Sequence, residues 1–422
     1  MFGEAVKRPR ILVCDRGAFL PFAQAFAADA DTLYFSEFRE VADLSKNAMV
    51  GRDVPGIERV DSLWKHIDDV DAIAFPDVGD GDMQQWLRGK GYAVWGSGDA
   101  EMLEIDRWEF KRLLQKMGLP VVDTRRLVGL DALEAVLRKE DDRYVKTSFF
   151  RGDFESYHHV TWELTEPWFN DLRHRMGPHG AEIETLVELP APGVEIGFDG
   201  YVVDGKFPES AMYGLELKDS AYLGRACAVT DMPGCLQDAN VALAEALRKL
   251  GARSCYSNEV RVTDDGTAYI SDPCLRCGSP PFASMSLAIT NWAEIVLGGA
   301  HGEVVEPDFA AEYACEIELA SPWLESDWLP LKMPDEILPW VRLRRPVVID
   351  GRYWCIPHPW LDIAGSAVGL GDTPALAIDR AIEVAEQIEG YQLKWNKNVK
   401  AELLDGWDKV QDACADTKAK AA

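Results

Sequence analysis

Over the first hundred residues, short apolar runs alternate with amphipathic stretches. Residues 10–14, 32–35, 71–75 and 93–95 have the length and composition of buried strands, and 18–28 and 83–89 carry helical spacing. Strands alternating with helices predict a small parallel sheet covered by helices. The turn after the first strand reads Asp15-Arg16-Gly17-Ala18 rather than G-x-G-x-x-G, so no dinucleotide site is expected there.

Ser97-Gly98-Asp99 then caps a helix predicted to run to about Met117, closed by Gly118 with Pro120 just beyond. Strands follow at 144–146, 183–188, 195–203 and 256–263, with helices at 238–250 and 282–297. Further on, 313–319 is strand-like and 346–356 reads as a strand–turn–strand turning at Asp350-Gly351. An amphipathic helix is expected at 375–387. Residues 417–422 read as a disordered tail.

Composition narrows this picture. A chain of 422 residues exceeds one ordinary core. It is 47% hydrophobic and 27% charged, the balance of a globular protein. No apolar run approaches the ~18 residues of a membrane span, and the four apolar residues after Arg10 are too few for a signal-peptide core. The net charge of −27 repels nucleic acid and anionic lipid, so an anionic ligand needs a local basic pocket. Nine cysteines, an odd number in a long chain, point to a reducing cytoplasm rather than a disulfide framework. Cys274 and Cys277 form a lone C-x-x-C without the second pair that a zinc site needs.

Three local features carry candidate chemistry. The stretch 260–270 contains Asp265-Gly266, the favoured two-residue hairpin turn. A two-residue loop there sets Glu259 directly opposite Asp272. Facing carboxylates repel, so a cation is expected between them, and magnesium shared with phosphates suits that role; an exposed acidic pair is the alternative. Arg107 falls inside the apolar stripe formed by Leu103, Phe110, Leu114 and Met117. An arginine on a buried face needs a partner; a phosphate is one candidate, and an arginine that snorkels or pairs with a carboxylate is the alternative. Lys146 ends a strand ahead of the small-residue loop Thr147-Ser148, a placement from which an ammonium can meet phosphates.

Taken in order, these residues resemble the ATP-grasp superfamily from about Ser97 to Pro281. Arg107, ahead of Gly118-Leu119-Pro120, matches the first phosphate-contacting Lys or Arg, and Lys146 the second lysine. Arg151 and Gly152 match the phosphate loop. Glu188 and Glu195, flanking Gly193, resemble the hinge of D-alanine–D-alanine ligases, which puts Glu188 at the adenine edge and Glu195 on the ribose. Lys218 fits a further basic position, Glu259 and Asp272 the magnesium carboxylates, and Arg276 the arginine that contacts phosphate or the acyl phosphate. Two departures stand out. Cys274 replaces the metal-ligand Asn, and a thiol is a poor magnesium ligand. The phosphate loop holds a single glycine, Gly152.

The resemblance implies an α/β and α+β protein with an ATP-grasp fold. The expected layout is an N-terminal parallel α/β domain over 1–98, a two-lobed core over 99–300 and a small C-terminal α+β domain over 301–416. That last domain resembles its counterpart in phosphoribosylamine–glycine ligase. The implied reaction uses ATP and Mg2+ to join a small-molecule carboxylate to an amine through an acyl phosphate, releasing ADP and phosphate. Lys218 and Arg276 are the expected catalytic residues, and homodimers are common among such proteins. The alternatives are a decayed nucleotide-binding protein and an ATP-grasp kinase.

Overall fold

The computed structural model describes residues 8–37, 49–148, 156–263, 265–359 and 361–421. The chain folds as two compact units. One comprises Met1–Glu101, Glu195–Glu259 and Cys274–Ala422, the other Met102–Val194 and Val260–Pro273.

In the larger unit, β1 (Arg10–Asp15), β2 (Asp31–Ser36), β3 (Ile57–Arg59), β4 (Ala72–Ala74) and β5 (Val94–Trp95) form a sheet ordered β3-β2-β1-β4-β5. Every pairing in it is parallel, as the apolar runs predict. Ile11 and Val13 enter one core with Phe22, Phe26 and Trp292. Leu12 enters a second core with Ile73, Leu87 and Val94. Burial on both faces is what a parallel sheet covered by helices requires. The helix expected at 18–28 is shorter, Leu20–Ala25, with Pro21 in its first turn.

The smaller unit is built on β6 (Thr124–Val128), β7 (Arg143–Thr147), β8 (Ser156–His159) and β9 (Glu184–Glu188), antiparallel and ordered β6-β9-β7-β8. Register places Tyr144 beside Glu188 and Lys146 beside Leu186. Strand alternation then puts Lys146 and Glu188 on one face and Val145 and Val187 on the other. The apolar face closes a core with Leu130, Leu133 and Leu137 of the helix Leu130–Leu137 and Phe169 and Leu172 of the helix Trp162–Met176.

The remaining strands are β10 (Val194–Val203), β11 (Ser210–Leu217), β12 (Ala221–Ala228), β13 (Arg253–Val262), β14 (Ala268–Cys274), β15 (Tyr313–Ala320), β16 (Leu329–Lys332), β17 (Val341–Leu343), β18 (Pro346–Ile349), β19 (Arg352–Cys355), β20 (Ile363–Gly371) and β21 (Glu389–Gly390). Eight of them form one sheet ordered β14-β13-β10-β11-β12-β15-β20-β17, and β18-β19-β16-β21 form another. The β18–β19 hairpin pairs Ile349 with Arg352 across Asp350 and Gly351, both at positive φ, the two-residue turn expected there. The last helix, Val399–Ala421, takes in residues 417–421. Among the described residues no helix is long and apolar enough to cross a membrane.

Three local expectations are corrected. The helix predicted from Ser97 to Met117 breaks at Asp106, whose side chain caps a new helix, Arg107–Lys116, by accepting from the Glu109 N–H. The helix predicted over 282–297 divides into Phe282–Ala288 and Trp292–Ala300, because Ile289 leaves the helix to bridge Phe309. The connection after β13 is not a two-residue turn. The Thr263 N–H donates to the Thr267 carbonyl at 3.0 Å and the Gly266 N–H to the Thr263 carbonyl at 2.8 Å, with Gly266 at φ +88°. That is a three-residue loop with glycine in the left-handed position. The Asp265 carboxylate sets it by accepting from the Thr267 N–H and the Thr263 hydroxyl. The register that a two-residue turn would impose on Glu259 and Asp272 therefore does not follow.

Gly193 stands where a side chain does not fit. At φ +97°, a Cβ there would lie 2.0 Å from the Val262 carbonyl oxygen. Gly193→Ala is expected to lower stability by about 2–3 kcal/mol, combining left-handed strain with a backbone clash, as read by urea unfolding.

Candidate functional site

In the smaller unit, three cations and two carboxylates converge. The helix Arg107–Lys116 presents Arg107, Phe110, Lys111 and Leu114 on its buried face. Arg107 Nη1 donates to Asp272 Oδ1 at 2.8 Å, and Lys146 Nζ donates to Asp272 Oδ2 at 2.5 Å. Lys111 Nζ lies 3.2 Å from Glu188 Oε1 and donates to the Ser271 carbonyl at 3.4 Å. Lys146 also stands 3.5 Å from Glu188 Oε2. Arg107, Lys111, Lys146 and Glu188 are all buried.

Burial alone would neutralise such groups, but here the partners decide. Burial raises the Asp272 carboxyl, yet Lys146, Arg107 and Lys111 outweigh it and hold the group well below the usual carboxylate range. Glu188 is likewise pulled down by Lys146 and Lys111 against its own burial. Lys146 is raised, Asp272 and Glu188 overcoming desolvation. Lys111 is lowered, by burial first and by Lys146 second, in spite of Glu188 and Asp272. Burial, the largest cause, thus disfavours the charged form of Lys111, and an added anion beside it would favour that form.

In the larger unit the signs are reversed. Lys218 Nζ stands 3.2 Å from Glu216, 3.3 Å from Glu259 and 3.5 Å from Glu195. Burial opposes the Lys218 charge, but the three carboxylates outweigh it and raise its pKa. Glu216 is raised by burial and by Glu259 and Glu195, against the attraction of Lys218. These residues line a cavity of about 190 Å³ together with Asp199 and Arg276. Cys274 lines it too, its thiol donating to the Arg276 carbonyl at 3.6 Å, and Arg276 Nη1 donates to the Cys277 carbonyl at 3.1 Å. Cys277 lies 3.4 Å from Cys255, sulfur to sulfur.

The expected residues therefore fall into two sets. Arg107, Lys146, Glu188 and Asp272 meet in one unit, and Glu195, Lys218, Glu259 and Arg276 line a cavity in the other. Arg151 and Gly152 lie outside the described residues. Among the described residues no group of three or more His, Cys, Asp or Glu is arranged to hold a metal by itself. A magnesium ion that shares its shell with phosphates and water needs only one or two carboxylates, so this does not argue against one. Asp272, kept ionised by its cations, suits a hard cation, while the Cys274 thiol does not. His159 on β8 is buried with both ring nitrogens engaged, one by Thr165 and one by the Glu140 carbonyl.

Three features escaped the sequence reading. Lys111 sits four residues after Arg107 on the same face, and that spacing was the available signal. Glu216 precedes Lys218 by two and so shares its side of the strand. Asp199, buried within β10, accepts hydrogen bonds from Tyr222 and Ser257, and nothing in the local pattern marks it.

No family model and no curated protein matches the chain. Solved structures do. Phosphoribosylamine–glycine ligase from Thermotoga maritima superposes with a TM-score of 0.69 at 16% identity, covering 92% of this chain and 98% of its own. The biotin carboxylase domain of 2-oxoglutarate carboxylase from Hydrogenobacter thermophilus gives 0.63 at 14% identity, covering 94% and 95%. N5-carboxyaminoimidazole ribonucleotide synthetase from Thermotoga maritima gives 0.56 at 12% identity, covering 91% and 99%. At these identities the likeness speaks to fold, and it extends over nearly the whole of each chain. With its parallel N-terminal sheet and its antiparallel sheets, the chain has the ATP-grasp fold.

Proposed function

We propose that the chain is an ATP-dependent carboxylate–amine ligase that works through an acyl phosphate and releases ADP and phosphate. The observation that carries this reading is the buried convergence of Arg107, Lys111 and Lys146 in a chain of net charge −27. Burying these cations costs free energy, and at Lys111 burial and the neighbouring Lys146 outweigh Glu188 and Asp272. A polyphosphate would offset the rest.

In this reading Arg107, Lys111 and Lys146 hold phosphate oxygens, Glu188 takes the adenine edge and Glu195 the ribose. The magnesium carboxylates are Glu259 and Asp272, as their motif positions imply. Bound ATP with magnesium supplies the phosphoryl group and neutralises charge as it develops. The chain's own work is positioning. Lys218 and Arg276 steady the substrate carboxylate and, once it is phosphorylated, its oxyanion. The Hydrogenobacter thermophilus domain is described as a dimer in complex with MgADP, ADP and bicarbonate, which supports nucleotide use and makes a homodimer part of the proposal.

The test is ADP release from MgATP across a panel of carboxylic acids, with and without amines. One acid–amine pair is expected to stimulate release by about tenfold or more. An acid that is phosphorylated to a stable product without any amine would indicate a kinase instead, and a panel with no stimulation at all would sink the ligase reading.

A further inference from the structure

One buried acid in the larger unit has no part in the scheme above. Register sets Gly197 opposite Gly214 and Asp199 opposite Met212, then Gly214 opposite Gly224 and Glu216 opposite Tyr222. Alternation therefore puts Glu195, Gly197 and Asp199 on the same sheet face as Gly214, Glu216, Tyr222 and Gly224. A Cβ on Gly214 would come within 2.3 Å of the Tyr222 hydroxyl oxygen, and one on Gly224 within 2.5 Å. The facing glycines leave the space that the Tyr222 ring occupies as it reaches toward β10. There its hydroxyl donates to Asp199 Oδ2 at 2.6 Å, while the Ser257 hydroxyl on β13 donates to Oδ1 at 2.7 Å.

Asp199 is only 3% exposed and lines the cavity that also holds Lys218 and Arg276. A carboxylate offers about four acceptor sites, and two hydroxyls use two of them. Its hydrogen-bond partners are neutral, so a buried negative charge is left with acceptor capacity beside a cavity. Burial pushes the carboxyl up and the hydroxyls from Tyr222 and Ser257 pull it back, leaving it at about 6. A base of that strength is poised for proton transfer near neutrality. An ornamental polar cluster would not need a glycine pair cleared on two strands to deliver one hydroxyl.

We propose that Asp199, held by Tyr222 and Ser257, is the anchor and proton acceptor for the ammonium group of the amine substrate. This deepens the ligase reading and rests on it. The ammonium gives one proton to the Asp199 carboxylate and becomes a neutral amine. Its nitrogen lone pair forms the C–N bond at the acyl carbon as the C–O bond to phosphate breaks. The second proton leaves with the departing phosphate, so hydrogen phosphate and an amide result. The titratable and charged groups around Asp199 are Tyr222 on β12, Glu195 on β10, Glu216 and Lys218 at the end of β11, Glu259 on β13, Cys274 on β14 and Arg276.

The experiment uses the full chain with MgATP and an acid from the ADP panel, offered either hydroxylamine or an amine. Hydroxylamine is uncharged at neutral pH and needs no base. In Asp199→Asn the ratio of amide to hydroxamate is expected to fall on the order of 100-fold, and the acid limb of the amine pH–rate profile disappears. In Tyr222→Phe, loss of a hydrogen bond to the ionised carboxyl moves that limb to higher pH. An unchanged ratio in Asp199→Asn, or a limb that stays in place in Tyr222→Phe, would overturn the assignment. Should Asp199→Asn not fold, the Tyr222→Phe limb decides alone. If the wild-type chain forms no hydroxamate with any acid, the ligase reading itself fails and takes this assignment with it.

Discussion

Asparagine in place of Asp272 is expected to cut ATP turnover on the order of 1000-fold and to lower stability by about 3 kcal/mol. The carboxylate is the common partner of Arg107 at 2.8 Å and Lys146 at 2.5 Å, both buried. Removing its charge leaves two cations facing each other in a poorly solvated place. Breaking a buried pair typically costs about 3–5 kcal/mol, and the partial exposure of Asp272 puts this case at the lower end. The pH dependence has a definite sign. Because the folded carboxyl titrates below its ordinary value of 3.8, its contribution is complete above that value and is lost as pH falls toward the depressed one. Urea unfolding at several pH values should show wild type and Asp272→Asn converging in acid and fully separated at neutral pH. A separation that is the same at every pH would contradict the assigned pairing.

The Lys111–Glu188 pair should behave differently for stability and for ligand binding. Both side chains are at most 5% exposed and stand 3.2 Å apart. Lys111→Met alone leaves Glu188 with the Thr124 hydroxyl at 3.3 Å and, as its cation, Lys146 at 3.5 Å, and is expected to cost about 3 kcal/mol. The double variant Lys111→Met/Glu188→Leu removes both charges and should recover to within about 1 kcal/mol of wild type, since apolar replacements of buried pairs are often neutral. The lowered Lys111 points the same way. Its charged form is disfavoured by burial, so its charge costs stability at neutral pH, and stability should rise as pH climbs through the lowered value toward 10.5. Nucleotide affinity should not recover in the double variant. Calorimetry with ATP and magnesium is expected to show at least a tenfold loss in the single and double variants alike. Recovery of affinity together with stability would mean that the pair serves only the fold.

The parts of the fold that read directly from the chain are those where one local rule governs. The parallel sheet was visible because β1 and β4 are apolar on both faces, and only a doubly covered strand tolerates that. Arg107 was visible as a charge inside an apolar stripe, and Lys146 as a charge closing a strand. Lys111 was not, because a lysine at the margin of a stripe ordinarily snorkels to solvent. Asp199 was hidden for another reason. Its stabilising partners come from β12 and β13, and the glycine pair that seats Tyr222 has meaning only once β11 and β12 are in register. Local rules also failed where a side chain or a distant segment competed with them. Asp265 bonds its own loop and lengthens the turn after β13, and Ile289 leaves its helix for Phe309. The first is a side-chain bond within the turn that a backbone turn rule does not register, and the second joins residues too far apart for a periodic pattern to sense.

The central claim is that the chain activates a carboxylate by phosphorylating it, and isotope transfer tests this most directly. With an acid from the ADP panel carrying 18O in its carboxylate, one labelled oxygen is expected in the inorganic phosphate for each amide formed, in step with ADP release. Phosphate that stays unlabelled while amide and ADP accumulate would show that no acyl phosphate forms, and the account would be wrong at its centre.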